Sequence, residues 1–311
     1  MRRSIAMVAI TGMTLVGLVA TASPASSAFP GRNGRIAFST DQVDTPQVFT
    51  VGSDGGGLRQ LTHVSPGSAA SAPNWSPDGR RIVFTIDGQI WVMDRDGSGK
   101  HQLTDQAGFE DHNPSWSPDA RKILFSHCGI PFGFVAYCDI DVMNADGTGM
   151  RKILGGNWVN NNPHYSPDGT RIVFDSNRGG FLSAVWVMDA DGGGLRRLTK
   201  PALEADFPGW SPDGSHIIFI DLCCMLHSNV WVIRPDGTGL KELTHFPVGH
   251  QGGPAYYSPD GKKIVLGADL AYPDECCNDL YVMNADGSNL HPIVTSQPGL
   301  FFSDWGPGVK P

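Results

Sequence analysis

A five-residue string, aromatic-Ser-Pro-Asp-Gly, recurs along this 311-residue chain and constrains its fold more than any other feature. A sixth, degenerate copy, Trp305-Gly-Pro-Gly308, lies near the C-terminus. The aromatic residues of successive copies are 41, 49, 45, 47 and 48 residues apart. A period in the forties with several short strands per unit is typical of a β-propeller. The five complete copies begin at Trp75, Trp116, Tyr165, Trp210 and Tyr257, and the second of them ends in Ala120 instead of Gly.

Each repeat carries the signals of four short antiparallel strands, which we label a to d in chain order. In residues 208–245 the turn Ser211-Pro-Asp-Gly214 separates strands a and b, because Pro presets φ and Gly accepts a positive φ. The segment Asp236-Gly-Thr-Gly239 forms the equivalent turn between strands c and d. Six c–d turns, six b strands and six aromatic anchors predict an all-β, six-bladed β-propeller over residues 29–311.

The two ends of the chain are predicted to complete one blade together. The first blade begins at strand b, Gly34–Phe38, and Phe302–Trp305 supplies its strand a from the far end. Closure by strand exchange between the N- and C-termini leaves no open sheet edge.

The N-terminal segment reads as an export signal. Arg2 and Arg3 precede an apolar run, and the small residues Ser26 and Ala28 fit cleavage before Phe29. We therefore expect a signal peptide over residues 1–28 and a secreted, periplasmic or otherwise extracytoplasmic mature chain without a membrane span; an uncleaved anchor is the alternative. Removing the two arginines changes the net charge from −8 to −10. An acidic chain argues against nucleic acid as a partner.

Six cysteines in an exported chain are compatible with disulfides. Cys128 and Cys138 flank the b–c loop of the third blade, where we predict a local disulfide. The pairs Cys223-Cys224 and Cys276-Cys277 occupy the b–c loops of the fifth and sixth blades and are also expected to form disulfides. A four-thiolate zinc site is the alternative, although adjacent Cys-Cys pairs lack the usual C-x₂-C spacing.

The repeat as a whole resembles the TolB-type propeller family. The shared string is P-x-W-S-P-D-G-x-x-I-V-F followed by W-V-M-D-A-D-G-x-G-L-x-x-L-T, with its best copy at Tyr165–Thr199, and the resemblance covers roughly residues 33–307. It implies a propeller fold and an envelope location, as in TolB of the Tol-Pal system. The additional N-terminal α/β domain of TolB is not expected between Ala28 and Asn33.

Polar residues in the d–a connections are the candidate binding residues, because these connections lead into the strand nearest the central channel. We expect them to converge at the channel mouth and to hold a metal or a small polar ligand. The alternative is a hydrated polar funnel without a ligand. The aspartates of the D-G turns are explained by turn chemistry rather than by calcium, since no later bidentate Glu completes a calcium loop. The six candidates are Asp111, His112, Asn161, His164, Asp206 and His250.

The sequence contains no G-x-S-x-G, H-E-x-x-H or P-loop motif. We therefore predict a monomeric, non-catalytic scaffold that binds a protein or cell-envelope component through its loop-rich face. No cofactor is expected, although the sequence leaves open a divalent cation in the central channel. The alternative is a channel-centred carbohydrate-active enzyme, a lyase or hydrolase with a divalent metal, that uses His112, His164 and His250.

Overall fold

The computed structural model describes residues 29–40, 45–129, 137–200, 203–221, 228–270, 279–295 and 302–309. In these residues the chain forms six four-stranded antiparallel sheets and no helix. The prediction of an all-β, six-bladed propeller is therefore confirmed. The predicted signal segment, residues 1–28, lies outside the described residues.

The 24 strands follow the chain order, and every sheet but the first consists of four consecutive strands. The strands are β1 Asn33–Thr40, β2 Gln47–Val51 and β3 Arg59–Gln60 in blade 1; β4 Ala70–Trp75, β5 Arg81–Ile86, β6 Gln89–Asp94 and β7 His101–Gln102 in blade 2; β8 Phe109–Trp116, β9 Lys122–Gly129, β10 Tyr137–Asn144 and β11 Arg151–Leu154 in blade 3; β12 Asn160–Tyr165, β13 Arg171–Ser176, β14 Ala184–Asp189 and β15 Arg196–Arg197 in blade 4; β16 Ala205–Trp210, β17 Ile217–Asp221, β18 Val230–Ile233 and β19 Lys241–Glu242 in blade 5; and β20 Gly252–Tyr257, β21 Lys263–Ala268, β22 Asp279–Asn284 and β23 His291–Val294 in blade 6, with β24 Ser303–Pro307 returning to blade 1.

The inner strands form a closed ring around the central channel. Strand β24 pairs antiparallel with β1, with Ile36 opposite Trp305 and Phe38 opposite Ser303. Each inner strand also contacts the inner strands of both neighbouring blades, in the order β24, β4, β8, β12, β16 and β20. The first and last described strands of the chain therefore lie side by side in blade 1.

The core lies between the faces of neighbouring blades. In the interface of blades 2 and 3, Val83 and Ile90 pack with Ile123 and Phe125. The third residue of the I-x-F motif in strand b is a fully buried Phe in five blades, and burying one such side chain contributes roughly 1.5–3 kcal/mol. These residues are Phe38, Phe84, Phe125, Phe174 and Phe219.

The Ser-Pro-Asp-Gly turns are closed by their own side chains. The Ser211 hydroxyl donates to Asp213 Oδ1 at 2.6 Å and accepts from the His216 N–H at 2.9 Å. Asp213 Oδ1 also accepts from the Ser215 N–H at 3.0 Å. Equivalent Ser-to-Asp bonds occur in the other four copies. The final turn residue has positive φ throughout, even in the third blade, where Ala120 has φ 58°.

The strand alternation gives the propeller two different faces. The a–b and c–d turns project from one face, which we call the turn face. The b–c loops and d–a connections project from the opposite face, which we call the loop face. Phe29 is buried in the interface of blades 2 and 3, and the Gly31 N–H donates to the Pro259 carbonyl at 3.1 Å. A helix long and apolar enough to cross a membrane is not found among the described residues.

Candidate functional site

The residue that precedes the aromatic anchor lies at an equivalent position in all six inner strands. Most of these residues line the central channel. They belong to one layer, because each immediately precedes an aromatic anchor whose side chain packs in the interface with the preceding blade. The six residues are Asn74, Ser115, His164, Gly209, Tyr256 and Asp304.

Polar members of this layer bond to the backbone of the neighbouring blade. Asp304 Oδ2 accepts from the Trp75 N–H at 2.7 Å and from Asn74 Nδ2 at 3.2 Å. Asn74 Oδ1 in turn accepts from the Trp116 N–H at 3.2 Å, and the Ser115 hydroxyl donates to the Pro163 carbonyl at 2.5 Å. The layer therefore links blade 1 to blade 2, blade 2 to blade 3, and blade 3 to blade 4.

Burial changes the pKa of two of the three ionisable groups in this layer in opposite directions. It raises the pKa of Asp304 to about 7, against the lowering effect of hydrogen bonds from the Trp75 and Trp305 backbone. It lowers the pKa of His164 to about 4. Both changes have the same cause, since a dry site disfavours the charged form of either group.

Aromatic rings narrow the channel further. The rings of His164 and Tyr256 are 5.6 Å apart, and burial raises the pKa of Tyr256. A Cβ at Gly209 would lie 2.9 Å from Tyr256 Cδ1, so only glycine fits beneath this ring. The remaining channel cavity is about 20 Å³, which is room for about one water.

Five inner strands contain a bulge next to this layer. In four of them the bulged residue has a φ near +50° and is followed by Pro, an unusual backbone conformation for residues other than glycine. At the loop-face end of the channel, the ring of Phe207, one of these residues, lies 5.8 Å from that of Phe302. The four residues are Ala72, Asn113, Asn162 and Phe207.

A buried carboxyl group, Asp175, and a half-buried one, Asp206, lie close together near the channel wall. Asp175 of β13 and Asp206 of β16 share a hydrogen bond. Burial, and then the neighbouring charge of Asp206, raise the pKa of Asp175 well above its ordinary value. Asn162 Nδ2 donates to Asp175 Oδ1 at 2.7 Å. Two carboxylates this close do not ionise together at low energetic cost, which agrees with the raised pKa of both groups.

The other predicted channel residues have separate environments. Asp111 is buried and accepts from His127 Nδ1 at 2.6 Å, and the ring of Phe109 stacks on that imidazole at 4.4 Å. His112 Nε2 lies 3.1 Å from Glu110 Oε2 at the surface. His250 Nδ1 lies 3.1 Å from the Asp269 carbonyl oxygen.

Of the six candidates, His164 lines the channel, and Asp206 lies near its wall. Asn161 is half-buried on β12, opposite Asp175. The described residues contain no group of three His, Cys, Asp or Glu side chains placed to hold a metal ion. Asp175, Tyr256 and Asp304 were not among the candidates, although Asp304 occupies the position before the last aromatic anchor.

Cys128 and Cys138 form the predicted disulfide at the loop end of the β9–β10 hairpin. They face each other directly in the strand register, with Cα atoms 4.0 Å apart. The other four cysteines, Cys223, Cys224, Cys276 and Cys277, lie outside the described residues, so their pairing stays a prediction.

The turn face has a broad, open depression of about 970 Å³. Its acidic groups include Asp168, Asp213 and Asp260, which are the aspartates of three Ser-Pro-Asp-Gly turns. Burial alone would raise their pKa, but hydrogen bonds from the turn Ser hydroxyl and the following backbone hold it below the ordinary value. These carboxylates therefore already accept hydrogen bonds within their own turns.

The loop face carries most of the strongly exposed large hydrophobic side chains. Among the described residues seven such side chains occur, and only Leu58 and Leu240 belong to the turn face. Phe181 is fully exposed, and Val248 is 70% exposed. The five on the loop face are Phe109, Tyr137, Phe181, Leu182 and Val248.

Comparison with known proteins agrees with this architecture. A family model described as the TolB beta propeller domain matches residues 5–129 and 136–308. A Protein TolB homolog of Chlorobium luteolum is 30% identical over 145 residues, which is 47% of this chain and 32% of that protein. The chain thus spans about a third of the length of this curated relative.

Two solved structures share the fold at low identity. TolB from Acinetobacter baumannii has a TM-score of 0.71 and 21% identity, with 88% of this chain and 67% of that chain covered. An oligogalacturonate lyase in complex with manganese has a TM-score of 0.60 and 16% identity, with 88% and 78% covered. These two similarities concern the fold alone. The family model, in contrast, matches most of the sequence, and the chain belongs to the TolB β-propeller domain family.

Proposed function

We propose that this protein is an exported, non-catalytic scaffold that binds a protein or another cell-envelope component through its loop face. The observation that carries this proposal is the distribution of exposed large hydrophobic side chains, because five of the seven found among the described residues lie on that face. Exposed apolar side chains that lie next to each other mark interaction sites, and Phe181 and Leu182 are adjacent in one loop of this face. Variable loops on a rigid scaffold are also where binding residues concentrate.

The channel supports the same proposal, because its side chains are used to join the blades. Asp304 and Asn74 bond to the backbone of neighbouring strands, and Tyr256 packs over Gly209. A substrate would need to displace these contacts in order to enter. A binding surface on the loops has no such cost.

Export is supported by the N-terminal sequence and by the disulfide. Cys128–Cys138 requires an oxidising compartment to persist, which the outside of the cytoplasmic membrane provides. Membership of the TolB β-propeller domain family is consistent with a role in the cell envelope.

The second candidate is a channel-centred lyase or hydrolase that uses a divalent metal. Its support is the fold shared with the manganese-bound oligogalacturonate lyase. Against it, His112, His164 and His250 have three separate environments. Metal analysis of purified protein, with an assay on oligogalacturonate in the presence of Mn²⁺, distinguishes the candidates. Stoichiometric metal and turnover that are lost in His164→Gln would favour the enzyme.

The scaffold proposal is tested by comparing the two faces in co-purification from the native envelope. One variant replaces Tyr137, Phe181 and Val248 with Ser, and a matched variant replaces Leu58 and Leu240 with Ser. We expect the first to lose a partner that the wild type and the second both retain. Loss of the partner in the turn-face variant alone contradicts the proposal. Because all five side chains are exposed, both variants should unfold at nearly the wild-type temperature.

A further inference from the structure

We propose that the β13–β14 loop of blade 4, residues 177–183, is the main contact on the loop face and docks a protein segment presenting a carboxylate next to an apolar side chain. This inference rests on the proposed function and specifies where the partner binds and what chemistry it brings. It follows from the fixed base of the loop, its exposed tip and one cation without an acidic partner.

The base of the loop is fixed by polar contacts to the adjoining d–a connection. Asn177 Oδ1 accepts from the Val159 N–H at 3.0 Å, and the Asn177 N–H donates to the Val159 carbonyl at 3.4 Å. Arg178 Nη2 donates to the Gly155 carbonyl at 3.1 Å. A loop held in this way loses little conformational entropy when a partner binds.

The tip of the same loop is apolar and exposed. Phe181 is fully exposed and Leu182 is 44% exposed. A Cβ at Gly179 or Gly180 would meet no atom within 4 Å, so the tip stands clear of the rest of the blade. Burying the Phe181 side chain in a partner pocket would remove a large apolar area from water and so favour binding.

The cation beside this tip is Arg178. Its Nε is buried and has no hydrogen-bond partner, and among the described residues its guanidinium makes no ion pair. Burial lowers the pKa of Arg178, and no nearby carboxylate counteracts this effect. A poorly solvated guanidinium is stabilised strongly by a carboxylate, which it binds through two parallel hydrogen bonds.

A tryptophan completes the surface. A Cβ atom added to Gly156, which has φ 130°, would lie 3.1 Å from the Trp158 ring and 4.0 Å from Arg178 Nη2. The indole and the guanidinium therefore occupy adjacent positions over one glycine. Trp and Arg are enriched among the residues that dominate binding energy at protein interfaces.

The chemistry favours a protein segment over a lipid surface. An anionic bilayer is recognised by a cluster of four to eight basic residues, whereas this loop offers one arginine beside two apolar side chains. A protein segment that pairs Asp or Glu with a large apolar residue fits both features at once.

A random dodecapeptide display library tests the inference on the purified full chain. Enriched peptides are synthesised, and their affinities are measured by calorimetry for the wild type, Phe181→Ser, Arg178→Gln, the second loop-face variant Val248→Ser and the turn-face control Leu240→Ser. We expect the peptides to carry an acid within about two positions of a large apolar residue. Phe181→Ser should weaken binding at least tenfold and Arg178→Gln at least fivefold, while the turn-face control Leu240→Ser stays within about twofold. Added salt should weaken binding to the wild type more than to Arg178→Gln.

The other outcomes overturn the inference in different ways. Peptides that bind equally when their acid is changed to an amide exclude the ion pair. Binding that depends on Val248 but not on Phe181 would support binding through the loop face, but it would refute the β13–β14 loop as the main contact. Binding lost only in Leu240→Ser refutes the proposed function as well. Failure to enrich any peptide, or Phe181-dependent binding to vesicles of phosphatidylcholine and phosphatidylglycerol, rejects a protein segment as the partner.

Discussion

Two buried groups in the channel layer should give the folded protein a characteristic response to pH. The pKa of Asp304 is raised to about 7 and that of His164 is lowered to about 4, both by burial. Asp304 contributes stability that is fully present below its unfolded-state pKa and is lost as the pH rises towards 7. His164 contributes stability that is present above its unfolded-state pKa and is lost as the pH falls towards 4. The two contributions therefore oppose each other between about pH 4 and pH 7.

The size of each stability contribution follows from the difference between the folded-state and the ordinary pKa of the group. Asp304 moves by roughly three pKa units from an ordinary value of 3.8, which corresponds to about 4 kcal/mol. His164 moves from 6.5 to about 4, which corresponds to about 3 kcal/mol. Across this window the two contributions should therefore largely cancel in the wild type.

Single substitutions should separate the two contributions. In Asp304→Asn the acid contribution is absent, so stability relative to the wild type should decrease by about 4 kcal/mol as the pH falls from 7 to 4. In His164→Gln stability relative to the wild type should increase by about 3 kcal/mol over the same range. Urea unfolding at constant ionic strength, followed by tryptophan fluorescence, measures both. The reasoning is refuted if both variants stay parallel to the wild type within about 0.5 kcal/mol.

Further predictions concern the turns, the channel layer and the disulfide, and urea unfolding measures all of them. Ala120→Gly should stabilise the protein by about 0.5–1 kcal/mol, because it relieves a residue held at φ 58°; an unchanged stability would show that the third turn is unstrained. Gly169→Ala, at φ 71°, should cost about 1 kcal/mol, and a gain would contradict the turn assignment. Gly209→Ala should cost about 1–3 kcal/mol, because its methyl group would lie 2.9 Å from the Tyr256 ring; wild-type stability would mean that the ring can move. Replacing Cys128 and Cys138 with Ala should cost about 2–3 kcal/mol through the freed hairpin, and no loss would mean that the hairpin is held by other contacts.

The repeat predicted the architecture because it encodes local structure. Ser, Pro, Asp and Gly each have a fixed role in one turn, and the structure shows those roles in the hydrogen bonds of Ser211 and Asp213. The Cys128–Cys138 disulfide was predictable for a similar reason, since a hairpin places its two ends opposite each other. Such features depend on neighbours in the sequence.

The interior of the channel was less predictable because it depends on distant residues. Asp175 and Asp206 are 31 positions apart and meet only through the packing of blades 4 and 5. His127 likewise binds Asp111 across a strand pair. Hydrophobic periodicity assigns such residues to strands but does not indicate which polar side chains meet. The position before each aromatic anchor was a usable signal, and Asp304 shows that it applies to the degenerate sixth copy.

The claim that the loop face binds a partner is tested most directly by photo-crosslinking in the native cell. A photoreactive phenylalanine is placed at Phe181 and Val248 on the loop face, and at Leu58 and Leu240 on the turn face. The proposal predicts that both loop-face positions crosslink to the same envelope partner and that neither turn-face position does. Crosslinks to that partner from the turn face alone, or equally from both faces, would contradict it.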